Sequence, residues 1–200
     1  MSSQVFKRAF ALFFVFTALL FASQNFVIQN DGFLPKKTVD KINEIGNELF
    51  TKTRVALYLV AVKKMPTKKI VDYEQQLAKE LKAPFILLVF SLKDHKVDIY
   101  STLDVAKRFD KDQVLSPFPW SGTIIPLLES HSKNPQAAIE AALLNGYADI
   151  AEQVAKSYGV KLKSGIGNTN KDIYLALRIL FYGILALILL NFIYRRYLKK

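Results

Sequence analysis

The sequence contains no cysteine. That excludes thiol catalysis, cysteine-ligated metal sites and a disulfide framework, and it fits an exported domain that does without cross-links. Histidine is scarce as well: only His95 and His131 occur, and no H-E-x-x-H pair exists to hold a catalytic zinc. Each histidine reads as a surface turn residue rather than a ligand. No G-x-S-x-G is present, so a hydrolase nucleophile elbow is unsupported. The glycines of GIGNTNKD are not followed by G-K-[ST] and read as linker, not as a phosphate loop. No long Lys/Arg block interleaved with aromatics occurs, which argues against a nucleic-acid partner. Much of the formal net charge of +11 sits at the two ends. Residues 25–171 carry 21 Lys or Arg against 16 Asp or Glu, a net of +5.

What is present is apolar length at both ends. AFALFFVFTALLFA, residues 9–22, follows Lys7 and Arg8. This layout suits a secretory signal with Ala22 or Ser23 as the cleavage position, and equally an uncleaved anchor, so residues 1–24 carry both readings. Residues 173–194 form a second run, about 33 Å long as a helix at about 1.5 Å per residue, enough to cross a bilayer. Arg178 stands near its leading edge, where a long side chain can snorkel to headgroups. Arg195, Arg196, Lys199 and Lys200 abut the run, and positive residues favour the cytoplasmic side. The sequence therefore predicts a transmembrane helix over 173–194 and a cytoplasmic basic tail over 195–200. The main domain, 25–162, lies outside the cell's cytoplasm, joined to the span by the linker 163–172.

The middle of the chain alternates two periodicities. Pro35 opens a helix in which Val39, Ile42, Ile45 or Gly46, and Leu49 recur at helical spacing. Gly46 inside that helix costs about 1 kcal/mol against Ala, which points to close packing there. TRVALYLVAV, residues 53–62, is dense in β-branched and apolar residues and reads as a buried strand. A second helix over 70–82 carries Tyr73, Leu77 and Leu81 on one stripe, and Pro84 blocks its continuation. FILLVF, 85–90, is a second buried strand. Lys93-Asp94-His95 is a turn, and 96–101 alternates, with Val97 and Ile99 facing one way and Asp98 and Tyr100 the other. After a proline-rich stretch, Asn134 caps a long helix with Pro135 at its first position. Ile139, Leu143, Tyr147, Ile150 and Val154 line its buried side, and Gly159 ends it. This order implies a sheet with helices packed on it.

The carboxylates hold the chemistry that the residues suggest. Asp94 and Asp98 flank the hairpin, and Asp104 and Asp110 follow it. Gathered at one sheet edge they would supply the oxygen ligands that Ca2+ or Mg2+ prefer, and a bound metal positions water for attack. The plain alternative is a solvated turn of alternating Lys and Asp.

Three stretches, in order, resemble the TPM domain family over roughly residues 26–160. They are GFLPKKTVDKINEIGNELFTKTRVALYLVAV, APFILLVFSLKDHKVDIYST, and the helices IIPLLES and AALLNGYADIAEQVA. The chain is similar in layout to membrane-anchored bacterial members. The resemblance implies an α/β/α sandwich with a small mixed sheet. Three positions depart from the family pattern: Gln29 stands where an aspartate is common, His95 replaces the usual arginine of the hairpin turn, and Ser101-Thr102-Leu103 replaces a glycine.

Members of the family are described as weak acid phosphatases, as calcium-binding domains, and as non-catalytic helpers of membrane complexes. One implied function is a membrane-tethered extracytoplasmic interaction, assembly or repair domain of the bacterial inner membrane. It would face the periplasm or exterior, with the bilayer and a membrane protein as partners. Phe118, Trp120 and the basic loop 63–69 would make the contact, though Trp120 reads also as core. A second is a weak metal-dependent phosphatase, with Asp94, Asp98, Asp104 and Asp110 holding Ca2+ or Mg2+ and Lys96 or Arg108 supplying positive charge. A third is a calcium-binding structural domain without turnover.

Overall fold

A computed structural model describes residues 24–130, 132–166 and 179–190. Strand β1 (Val27–Asn30) is followed by helix α1 (Lys36–Thr53), strand β2 (Ala56–Val62), helix α2 (Ile70–Ala78), and strands β3 (Phe85–Ser91) and β4 (Lys96–Ser101). Two four-residue helices, α3 (Lys111–Val114) and α4 (Ile125–Leu128), lead to the long helix α5 (Pro135–Ser157). The sheet order is β1-β2-β3-β4, with β1, β2 and β3 parallel and β4 antiparallel to β3. Helices α1 and α5 pack on one another and on β2, while α2 packs on β3 and β4. The result is a mixed sheet between helical layers, consistent with an α/β/α sandwich.

Local chemistry explains where each element starts and stops. Pro35 takes an extended backbone and α1 begins at the next residue. It runs on through Thr53, the first residue of the expected strand: Arg54 then turns left-handed (φ 62) and its N–H caps the carbonyl of Phe50, so β2 starts only at Ala56. Helix α2 ends at Ala78, and residues 79–81 wind on through tighter bonds such as Glu80 N–H to Leu77 O (3.1 Å). At α5 the Asn134 side chain accepts the Ala137 N–H at 3.1 Å, the N-cap that its position calls for. Strand β1 is the element that composition hides. It is four residues long, half polar, and irregular in register between Val27 and Gln29.

The core lies between β2, β3 and the α1–α5 pair. Every residue of β3 is buried, as are all but Tyr58 of β2, because parallel strands covered on both faces meet no water. Gly46 lets α1 approach α5 closely. A Cβ there would lie 2.4 Å from the Tyr147 hydroxyl and 2.6 Å from the Phe26 ring. The Tyr147 hydroxyl, fully buried, donates to the Leu57 carbonyl at 2.6 Å.

The expected membrane span is corrected here. Among the described residues no helix is long and apolar enough to cross a membrane. The described part of the run, 179–190, is helical and exposed. Residues 173–178, 191–194 and the tail 195–200 lie outside the described residues, as do 1–23 of the expected signal or anchor. With no such helix among the described residues, the membrane-anchored form of the family resemblance loses its support. So do the bilayer and membrane-protein partners, the inner-membrane location and the tethered assembly or repair role.

Candidate functional site

The parallel strands β1, β2 and β3 end at one edge of the sheet, and the loops that leave them meet there. In open sheets this carboxyl edge is where ligands commonly bind. Asp31, just past β1, accepts the Lys63 N–H at 2.8 Å and the Gln29 amide at 3.1 Å. The Lys63 backbone donor, with Gln29 second, holds its carboxyl below the usual aspartate range. Asp94, in the hairpin, accepts the Met65 N–H at 2.8 Å and the Ser91 hydroxyl at 2.6 Å. The Met65 donor comes first in lowering its carboxyl too. Two carboxylates thus clamp the start of the 63–69 loop from opposite sides.

The hairpin reinforces this. Leu92 N–H reaches Val62 O (3.1 Å), Lys93 N–H reaches Lys63 O (2.9 Å), and the Lys96 ammonium donates to Lys68 O at 3.0 Å. Lys63, Lys64, Lys68, Lys69 and Lys93 stand exposed around the clamp.

The other sequence candidates scatter. Asp98 lies mid-strand on β4 and pairs with Lys111 at 2.6 Å. Asp104 sits in the exposed turn beyond the far end of β4, a six-residue strand about 20 Å long, so Asp94 and Asp104 are held apart by it. Asp110 is the N-cap of α3, accepting the Gln113 N–H at 2.9 Å. Arg108 lies over the Tyr158 ring (4.5 Å to the centroid) and bonds Ser157 O, so it anchors the end of α5. Among the described residues no three or more His, Cys, Asp or Glu side chains are placed to hold a metal ion. The calcium- or magnesium-based readings, phosphatase and structural site alike, lose their support with that finding. His131 lies outside the described residues.

Phe118 and Trp120 form a second feature. Their rings stack at 5.0 Å with 17° between planes, yet they are 54% and 69% exposed, so Trp120 is not core. The turn that carries them is closed tightly. Ser121 and Gly122 donate their N–H groups to Phe118 O (3.0 and 2.7 Å), and the Ser116 and Ser121 hydroxyls meet at 2.6 Å. Gln113 donates to Ser121 O at 2.6 Å. Buried Asp149 of α5 accepts from Thr123 and from Gln153, fixing the turn's exit to the helix.

Sequence reasoning missed Glu74, whose carboxyl is buried on α2 close to Asp98 and Lys111. The signal was available: Glu74, Leu77 and Leu81 share the i, i+3, i+7 spacing of the stripe. It missed Glu48 and Asp149 as well, because their partners are far away in the sequence.

A family model described as the TPM domain matches residues 27–143. Among solved structures, the chain resembles the N-terminal domain of a protein from P. gingivalis, solved by NMR in solution. The TM-score is 0.53 and the identity 13%, over 70% of this chain and 88% of that one. The BA42 protein of the psychrophilic bacterium Bizionia argentinensis aligns with a TM-score of 0.48 and 14% identity, over 70% of this chain and 93% of that one. No curated protein matches the chain.

Proposed function

This chain belongs to the TPM domain family, and we propose that it acts as a protein-recognition domain whose apolar contact is the Phe118–Trp120 turn. The stacked, exposed ring pair carries the reading. Two large aromatics side by side in water are a cost that burial against a partner removes, by about 25 cal/mol for each Å2 covered. Aromatic residues also dominate binding energy at protein interfaces. The closed turn supports the same reading, because a contact already held in place loses little conformational freedom on binding.

The experiment is site-specific photocrosslinking in the native cells, with a crosslinking residue at position 120 and a control at Leu103. Leu103 is 93% exposed and lies in the turn after β4. The expected result is one discrete adduct from position 120, absent from position 103. The purified adduct partner should bind the full chain, with at least tenfold loss in Phe118→Ala. Equal labelling from both positions, or an adduct indifferent to Phe118, would overturn the proposal.

A further inference from the structure

The exposed charge at the carboxyl edge is mainly of one sign and built on two loops that hold each other. Loop 63–69 contributes Lys63, Lys64, Lys68 and Lys69, and the hairpin contributes Lys93 and Lys96. The two acidic groups among them, Asp31 and Asp94, are engaged with the backbone donors of Lys63 and Met65. Six ammonium groups against these two carboxylates and the exposed Asp72 in the first turn of α2 leave a positive field that reaches about 8 Å into solution at physiological salt. The loops cannot disperse it easily, since the Lys63 and Leu92–Lys93 backbone bonds and the Lys96–Lys68 bond fix them together.

We infer that this lysine edge docks an acidic segment of a partner polypeptide, several Asp or Glu residues in extended conformation laid across the two loops. The side-chain type selects that occupant. Neither loop contains an arginine, so the planar fork that grips one phosphate in two-point fashion is missing. Lysines are hydrated point charges on flexible stems. Spread along two loops, they suit many carboxylates in a row better than one compact anion. Complementary charge of this kind speeds encounter and sets orientation. The edge is independent of the aromatic turn, so either contact can fail without the other.

The test uses the full chain and a fluorescein-labelled fifteen-residue Glu-rich peptide, read by anisotropy. Saturable binding is expected, weakening as salt rises from about 50 to 300 mM. The triple variant K63E/K64E/K93E should lose at least tenfold in affinity. The control K79E/K82E, beyond the other end of α2, should lose less than twofold. Circular dichroism of each variant checks that the fold persists, and single Lys→Gln variants replace the triple if it does not. Three results would overturn the inference: no binding at low salt, equal losses in the edge and control variants, or full displacement of the peptide by a few millimolar inorganic phosphate. The last would make the edge a site for a single compact anion.

Discussion

Glu74 puts a carboxyl into a place built for apolar side chains. It is 2% exposed, and its Oε1 has no hydrogen-bond partner among the described residues. Burial first, and the neighbouring Asp98 second, push the carboxyl from its ordinary 4.5 up to about 7, with Lys111 opposing. The folded chain therefore keeps a proton that the unfolded chain gives up between those values. The cost to stability is absent below about pH 4.5, grows as pH rises, and is complete above about pH 7. Glu74→Gln is expected to leave stability nearly unchanged at pH 4 and to raise it by about 1–3 kcal/mol at pH 8. Urea unfolding at the two pH values checks this. A gain of the same size at both would show that ionisation is not the source. Gly46 teaches the opposite lesson at this scale. A glycine inside a helix announces a close approach, and Tyr147 and Phe26 are what approach.

Among the elements, the aromatic turn depends on its own glycine. A Cβ at Gly122 would lie 1.8 Å from the Ser116 carbonyl oxygen, so Gly122→Ala must open the Ser116–Ser121 closure. Trp120 is the sole tryptophan and reports the change directly. Its steady-state anisotropy is expected to fall in Gly122→Ala while the circular dichroism of the helices stays the same. An unchanged anisotropy would mean that the backbone bonds from Ser121 and Gly122 to Phe118 are not what holds the rings.

The elements themselves were legible to different degrees, for physical reasons. Strands β2, β3 and β4 announce themselves because burial on two faces, or alternation on one, leaves a period in the sequence. The N-cap of α5 is equally plain, since Asn134-Pro135 does there what those residue types do in general. Strand β1 left no period in four residues, and the end of α1 depends on a left-handed arginine that sequence does not advertise. The acidic candidates were adjacent along the chain, but β4 separates Asp94 from Asp104, and each of Asp94, Asp98 and Asp110 answers to a local donor or cation. Exposure of Trp120 was the least legible. An aromatic among prolines reads the same whether it fills a core or leaves one.

For the molecule as a whole, one carboxylate ties the segment that follows α5 back to α1. Glu48 of α1 accepts the N–H groups of Lys163 (2.8 Å) and Ser164 (2.7 Å), the Ser164 hydroxyl and the Lys52 ammonium. Burial raises its carboxyl, but the Lys163 N–H, Lys52 and Ser164 outweigh that and hold it down at about 2. The stabilisation is therefore fully present above about pH 4.5 and is lost as pH falls toward 2. Glu48→Gln is expected to cost about 2 kcal/mol at pH 7 and almost nothing at pH 2. Thermal unfolding of both proteins at the two pH values tests it, and an equal loss at both would assign the effect to packing rather than charge. The long apolar run at 173–194 shows the limit of reading a molecule by composition. Among the described residues, 179–190 of that run are helical and exposed, and no helix is long and apolar enough to cross a membrane.

The Glu48 clasp has a mechanical consequence. Tension applied to the chain beyond Gly165 does not first peel α5 from its last turn. It passes through Ser164 into the far half of α1, which is seated across the core against Phe26 and Tyr147. Several bonds then bear the load side by side instead of breaking one after another. The lysine edge, at the other end of the sheet, stays out of the line of pull.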